Sequence, residues 1–165
     1  IKNKVINFFA YLTKREIVSS VKDTKIFKQF YSETISCSHP CIARWNEKGS
    51  TYYPINCGYC YPCLIRKSSL LDVENATNEY TYATTGLDFL IKYEETEKIN
   101  DLVAVLNAVY ESKKMSDGEL KRKIRHAGNL HTEEIEKYVR LYRLTINDLC
   151  ELFLRDKSLY KILGV

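Results

Sequence analysis

The sequence is poor in glycine and proline, and this excludes one large class of nucleotide-binding sites. Six of the 165 residues are glycine and three are proline. No two glycines are adjacent or separated by a single residue. Loops that cradle phosphate need glycine, because only a residue without a side chain lets backbone N–H groups crowd around the anion. The chain therefore encodes no phosphate-binding loop of a familiar kind.

Two further absences narrow the function classes. The longest apolar run within a predicted helix, Leu102 to Leu106, is far too short to span a bilayer. No Ser–His–Asp set and no obvious carboxylate pair offers a catalytic centre. What is present is a globular composition, with 45% apolar and 28% charged residues. The net charge of +4 permits an anionic partner but is well short of that of a dedicated nucleic-acid binder.

Helix signals begin near the N-terminus, after residues that look extended or strand-like. Thr13 and Glu16 have the spacing of a capping box, which predicts a helix to about Lys22. A second short helix is expected over residues 25–31. Its buried residues would be Ile26, Phe27 and Phe30.

The second half of the chain is also helical by its pattern. Apolar residues recur at helical spacing over residues 99–110. Ser116 and Glu119 form another capping box, and Gly128 can end that helix in the left-handed conformation that glycine adopts cheaply. Thr132 begins a long helix with two glutamates at its positive end. The predicted fold class is therefore mainly α.

Three features of this half have ordinary interpretations. The basic run over residues 121–126 is expected to be a solvated helix face. His126 and His131 are expected at the surface and not as ligands. Cys150 lies among apolar residues and is expected to be a small buried hydrophobe.

Residues 34–66 differ from the rest of the chain. They contain five of the six cysteines and all three prolines, without helical or alternating periodicity. Cys57, Cys60 and Cys63 follow one another at Cys-x2-Cys spacing, and Gly58 suits the tight turn after the first of them. An irregular segment of this kind needs a cross-link, such as a bound metal ion or disulfides, to hold its structure.

Three chemistries fit this cysteine pattern. A structural zinc site needs four tetrahedral ligands, so the fourth would be Cys37 or Cys41, and the metal's binding energy would then be folding energy. The same spacing with a remote fourth cysteine also occurs at iron–sulfur centres. Six cysteines can pair as disulfides, but three of them in seven residues need distant partners, which argues against a secreted framework. We therefore favour zinc and a cytoplasmic location.

The residues around the cysteines resemble the zinc motif of the 7-cyano-7-deazaguanine synthase (QueC) family. That family's pattern is Ser-Cys, a spacer, then Cys-Gly-x-Cys-x-x-Cys-x-x-Arg. The matching stretches here are Ser36-Cys37 and the run CGYCYPCLIR from Cys57 to Arg66. The stretch TKREIV, residues 13–18, also resembles the family segment upstream of the first zinc cysteine. The resemblance covers about residues 10–75.

The resemblance implies a ligand set, a cofactor and an activity. The implied zinc ligands are Cys37, Cys57, Cys60 and Cys63. Cys37 is preferred over Cys41 because a serine precedes it, and Arg66 would pack at the zinc site or face a substrate pocket. The family uses ATP to activate a deazaguanine carboxylate by adenylation. ATP and magnesium would therefore belong to a nucleotide-binding α/β domain, of the adenine nucleotide alpha hydrolase type, that precedes Ile1.

The chain departs from the biosynthetic enzymes at three places. The spacer of 19 residues over 38–56 is long, the aromatic stretch over 45–53 is new, and the helical region after residue 90 is extra. These departures look more like the QueC-like proteins of bacterial anti-phage defence operons of the Qat type than like the tRNA-modification enzyme.

Together these inferences predict three regions. Residues 1–33 are the end of the α/β domain or linker helices, residues 34–75 the zinc knuckle, and residues 76–165 a helical extension. The favoured function is the zinc-bearing C-terminal region of a QueC-like enzyme acting on a deazaguanine-like or other nucleobase-like carboxylate. The alternative is a non-catalytic zinc module that binds a protein or nucleic acid. We expect a protein partner on the helical extension or a homodimer; nucleic acid is less favoured, and no membrane contact is expected.

Overall fold

The computed structural model of the chain describes residues 3, 6–40, 56–73, 96–128 and 130–155. Six α-helices lie within these ranges, and no strand does, which confirms the mainly helical fold class. The helices are α1 (Lys14–Val21), α2 (Lys25–Phe30), α3 (Tyr61–Ser69), α4 (Thr96–Lys114), α5 (Asp117–Ala127) and α6 (Thr132–Arg155). A single 3₁₀ turn, Tyr31–Glu33, follows α2.

Two helices begin at the capping boxes that the sequence predicts. The Thr13 hydroxyl accepts a hydrogen bond from the Glu16 N–H at 3.1 Å, and the Glu16 carboxylate accepts one from the Thr13 N–H at 2.8 Å. Ser116 and Glu119 repeat this exchange at the start of α5, at 3.3 and 2.9 Å. Each box satisfies N–H groups that the first helical turn leaves without a partner.

Three local predictions are wrong. Phe8 to Tyr11 form turns and not a strand, with the Leu12 N–H donating to the Phe9 carbonyl oxygen. Ile26 and Phe30 are 74% and 51% exposed, because α2 packs mainly on the turn that follows it. Gly128 has φ 176°, so the chain leaves α5 in extended backbone that any residue can adopt.

The main core joins the cysteine segment to the helices of the second half. Its buried members come from residues 57–60 and from α3, α4 and α6, with Leu64, Leu102, Val109 and Phe153 fully buried. Three cysteines belong to the same cluster. A smaller cluster of Leu120, Ile135 and Val139 fastens α5 to α6. No described helix combines the length and the apolar character that a membrane span requires.

Helix α1 is held to this core by ion pairs more than by apolar burial. None of its residues is buried. The Arg15 guanidinium donates to both carboxylate oxygens of Asp72 at 2.9 Å, to Asp148 at 3.2 Å and to Glu151. Arg15 therefore ties α1 to the end of α3 and to the last turns of α6, as a planar fork with several donors can.

Candidate metal centre

Four cysteine side chains converge at the N-terminal end of α3. The sulfur atoms of Cys37, Cys57, Cys60 and Cys63 all lie within 4.8 Å of one another. Two pairs, Cys57 with Cys63 and Cys37 with Cys60, are 3.9 Å apart. Four sulfurs about 2.3 Å from one tetrahedral ion would lie about 3.8 Å from each other. The observed separations therefore fit a single bound metal ion.

The same separations weigh against the other two chemistries. The cysteines of the described residues are free thiols, and a distance of 3.9 Å is nearly twice the length of an S–S bond. An iron–sulfur cluster places several irons and bridging sulfides between the cysteine sulfurs, which requires them to stand farther apart than one ion does. Cys41, the other candidate for the fourth ligand, lies outside the described residues.

A tight turn presents the first two cysteines of the knuckle. Gly58 has φ 91°, in the left-handed region that a residue with a side chain rarely adopts. This conformation folds the chain back so that the Cys60 N–H donates to the Cys57 sulfur at 3.4 Å. Cys60 is the N-cap of α3, and Cys63 follows in the first helical turn. The turn that the sequence suggested at Gly58 is therefore present.

The segment that carries Cys37 is bonded to the knuckle through sulfur. The N–H groups of Cys57 and His39 each donate to the Cys37 sulfur at 3.2 Å, and the Ser38 N–H donates to the Cys60 sulfur at 3.4 Å. Backbone donors of this kind favour the thiolate form of cysteine. Both segments are thus prepared to present sulfur to a cation.

Asn56 is a buried member of the site that sequence reasoning missed. Its side-chain oxygen accepts from the Ser36 N–H at 3.0 Å, and its amide nitrogen lies 3.5 Å from the Thr34 carbonyl oxygen. These bonds tie the residue before Cys57 to Ser36 and Thr34, in the segment that leads to Cys37. The only signal in the sequence was a polar residue directly preceding the first cysteine of the knuckle.

Asp101 is a second residue that the sequence did not reveal. Cys60 makes no side-chain hydrogen bond to the first turn of α3. Instead the Asp101 carboxylate, on α4, accepts from the Tyr61 N–H at 2.9 Å. A carboxylate is favourable at the positive N-terminal end of a helix. This contact fixes the knuckle to α4, and no local sequence pattern could have predicted it.

The four thiols do not share one electrostatic environment. The contact between the Cys57 and Cys63 sulfurs, 3.9 Å apart, lowers the pKa of Cys57 to about 5 and raises the pKa of Cys63. Burial raises the pKa of Cys37 to about 11. A divalent metal ion bound by four sulfurs would replace this uneven sharing of protons with four thiolates.

The centre is closed to solvent on most sides. Cys57, Cys60 and Cys63 are fully buried, and Cys37 is half-buried. A tetrahedral ion held by four protein sulfurs has no open position for water or substrate, which is typical of structural and not of catalytic metal sites. The all-sulfur donor set suits a thiophilic ion such as zinc.

Arg66 lies one turn beyond Cys63 and forms hydrogen bonds with the segment that leads to Cys37. Its two terminal nitrogens donate to the Tyr31 carbonyl oxygen and to the Thr34 hydroxyl, each at 2.6 Å. Arg66 also lines an apolar groove between α1, α2 and α3. Whether a substrate meets it there stays a prediction.

The remaining sequence candidates lie away from the centre. His126 and His131 are exposed, as expected. Most of the basic run over 121–126 is solvated, and Lys121 pairs with Glu136. Cys150 is half-buried against the main core, where full burial was expected. The aromatic stretch over 45–53 lies outside the described residues.

Comparison with known proteins identifies no relative of this chain. No protein-family model, curated protein or solved structure matches the chain. The fold and the site define a helical protein with a four-cysteine candidate metal centre, and any narrower assignment must be argued from the residues themselves.

Proposed function

We propose that this chain is the zinc-bearing region of a QueC-like, ATP-dependent enzyme and that its zinc is structural. One observation carries the proposal: the four cysteines picked out by the Ser-Cys and Cys-Gly-x-Cys-x-x-Cys-x-x-Arg pattern are the four whose sulfurs meet. Two details support it. Gly58, the second residue of the motif, adopts a left-handed conformation that favours glycine, and Arg66 bonds to the segment leading to Cys37.

In this proposal the metal organises the protein and does not take part in the reaction. Zinc would fix the segment before Cys37 against the start of α3, and so shape one wall of a pocket for a deazaguanine-like or other nucleobase-like carboxylate. The residues that bind ATP and magnesium would belong to a nucleotide-binding α/β domain and not to the described helices. The long spacer and the helical extension would place the enzyme in anti-phage defence of the Qat type, in the cytoplasm.

A second candidate function is a non-catalytic zinc module that binds a protein. The observation that favours it is the exposed apolar groove beside α2, since a large exposed apolar surface in a folded protein commonly marks an interaction site. Within the described residues no comparable observation favours nucleic acid, and Lys121 of the basic run is already paired with Glu136.

An adenylation assay separates the two candidates. The protein isolated from its natural source is incubated with ATP, magnesium and a 7-deazaguanine carrying a carboxylate, and pyrophosphate release is measured. The enzyme proposal predicts release that depends on the nucleobase carboxylate and that falls in a Cys63→Ser variant. A zinc-loaded natural protein that releases no pyrophosphate with any nucleobase carboxylate would overturn the enzyme proposal and leave the binding module.

A further inference from the structure

A groove between α1, α2 and α3 leaves a large apolar surface open. Its volume is about 840 Å³, and residues of α6 close its inner side. Five of its apolar lining residues are exposed, three of them by more than half. They are Leu12 (39%), Val21 (38%), Ile26 (74%), Phe30 (51%) and Tyr61 (54%). Exposure of this extent on adjoining elements is typical of a surface that another molecule covers.

The attachment of α1 explains why its apolar face is available. On one side of the helix, Arg15 pairs with a carboxylate just after α3 and with one on α6, and Glu16 pairs with Arg140. These polar contacts hold the helix without using its apolar residues. Ile17 and Val18 line the groove and are only half-buried. The ion pairs therefore orient α1 so that its apolar side faces the groove.

The shape of the groove suits a helix. Its walls are themselves helices, with lining residues at helical spacing: Lys14, Ile17, Val18 and Val21 on α1, and Tyr61, Ile65 and Ser69 on α3. Rows of side chains at this spacing form the grooves into which another helix packs. Most backbone groups of helical walls are already bonded, so an extended peptide would find few partners for its own N–H and C=O groups.

The charged residues of the groove indicate which kind of helix it would bind. The charged residues that line the groove are Lys14 and Arg66, and no acidic residue is among its lining. A carboxylate on the occupant would be attracted to both cations. Pairing of two identical grooves would instead bring these cations together, which disfavours a second copy of the chain on this face.

We propose that this groove binds an amphipathic helix of a partner protein, with the partner's apolar residues against α2 and its carboxylates beside Lys14 and Arg66. The inference does not depend on the enzyme proposal. It gives the protein-binding alternative a defined surface and a partner class. It also differs from the expectation that a partner docks on the helical extension.

The test uses the zinc-loaded chain and two synthetic helical peptides with one shared apolar face. Both peptides carry leucine at i, i+3, i+4 and i+7; one has glutamate on its flanks and the other has lysine. Fluorescence anisotropy measures binding. We expect the glutamate peptide to bind at least about tenfold more tightly than the lysine peptide, and Lys14→Glu to abolish most of that preference, because Arg66 then faces one added carboxylate.

Matched substitutions locate the binding surface. Phe30→Asp places a charge in the groove at a residue that is already 51% exposed, so the fold should persist while peptide binding is lost. Val103→Asp is the control, since Val103 is exposed to a similar extent (41%) on α4, outside the groove. Circular dichroism checks that both variants are folded.

Three results of the peptide experiments would overturn the proposal. They are no binding of either peptide, equal binding of both peptides to the chain and to Lys14→Glu, and equal loss of binding in Phe30→Asp and Val103→Asp. Self-association in sedimentation equilibrium that Phe30→Asp abolishes would assign the groove to a second copy and would also overturn it. None of these results bears on zinc content or pyrophosphate release, so the proposed function is judged separately.

Discussion

Cysteine and glycine have separate roles at the knuckle: glycine allows the tight turn, and the cysteines supply the sulfur ligands. Gly58 supplies a positive φ that brings Cys57 and Cys60 to the same side of the turn. The buried thiols supply soft ligands whose charges only a cation can neutralise. The sequence predicted both roles, because spacing and residue type define them locally.

Substitution of a buried cysteine should remove the metal. Cys63→Ser takes away one of four converging sulfurs, and we expect zinc to fall well below one ion per chain and the free energy of unfolding to fall by at least about 2 kcal/mol. Elemental analysis and chemical denaturation measure the two quantities. Cys150→Ser is the matched control, because Cys150 packs on the same core without joining the sulfur cluster. Full zinc content in Cys63→Ser would contradict the assignment.

The identity of the fourth ligand has its own test. Cys37→Ser should lose zinc as Cys63→Ser does, because the Cys37 sulfur lies within the cluster. Cys41→Ser should keep one zinc ion per chain. The reverse pattern would assign the fourth position to Cys41 and would show that the Cys37 geometry is wrong.

Arg66 acts at the residue scale through the shape of its guanidinium. Two nitrogens donate to different groups, Tyr31 and Thr34, and a lysine ammonium cannot reproduce that fork. We expect Arg66→Lys to lower the free energy of unfolding by about 1–2 kcal/mol while zinc stays bound. Arg125→Lys, at an exposed position on α5, is the control. A stability change no greater than that of the control would show that the fork is not needed.

At the scale of the element, the helices whose starts were predicted are those with local signals. Thr13 with Glu16, and Ser116 with Glu119, carry the information for a helix start within four residues. The exposure of α2 could not be predicted in the same way, because its apolar residues indicate burial but do not name what covers them. The bond from Tyr61 to Asp101 joins residues 40 positions apart and has no local signal.

The attachment of α1 should depend on pH. Bonds from Arg15 lower the pKa values of Asp72 and Glu151, so their stabilising contribution is present above the ordinary carboxyl pKa of about 4 and is lost as pH falls through the lowered values. Asp148 opposes this trend, because burial raises its pKa and its charged form costs stability at neutral pH. Two of the three carboxylates thus make the folded protein more stable at neutral pH than at acidic pH.

A substitution of Arg15 isolates that effect. We expect Arg15→Met to lower the free energy of unfolding at pH 7 by about 1–3 kcal/mol, and the gap from the unsubstituted chain to narrow as pH falls toward 3. Urea denaturation at several pH values measures this, with Arg125→Met as the control for loss of one positive charge. A gap that stays constant with pH would show that Arg15 contributes through packing alone.

At the scale of the whole molecule, the four-cysteine cluster and the helical core are one structure. The sulfur-bearing residues share a buried cluster with Leu102 and Phe153 of α4 and α6. Sequence reasoning placed the cysteines and the helices in separate regions, because each pattern is local and neither specifies their mutual packing. The shared cluster makes the knuckle part of the core of the protein.

Removal of the metal should therefore affect more than the knuckle. We expect a strong chelator to lower the thermal midpoint by several degrees and to increase amide hydrogen exchange in α4 and α6 as well as in α3. Exchange that rises only near the cysteines would mean that the helical core is stable without the metal.

The most direct test of the account is the metal content of the intact chain, measured by native mass spectrometry and elemental analysis on protein prepared without oxygen. The account predicts one zinc ion per chain, and cobalt substitution should give the absorption spectrum of a tetrahedral four-thiolate site. Protein that is folded without metal, or that carries a multi-iron cluster with sulfide, would contradict it.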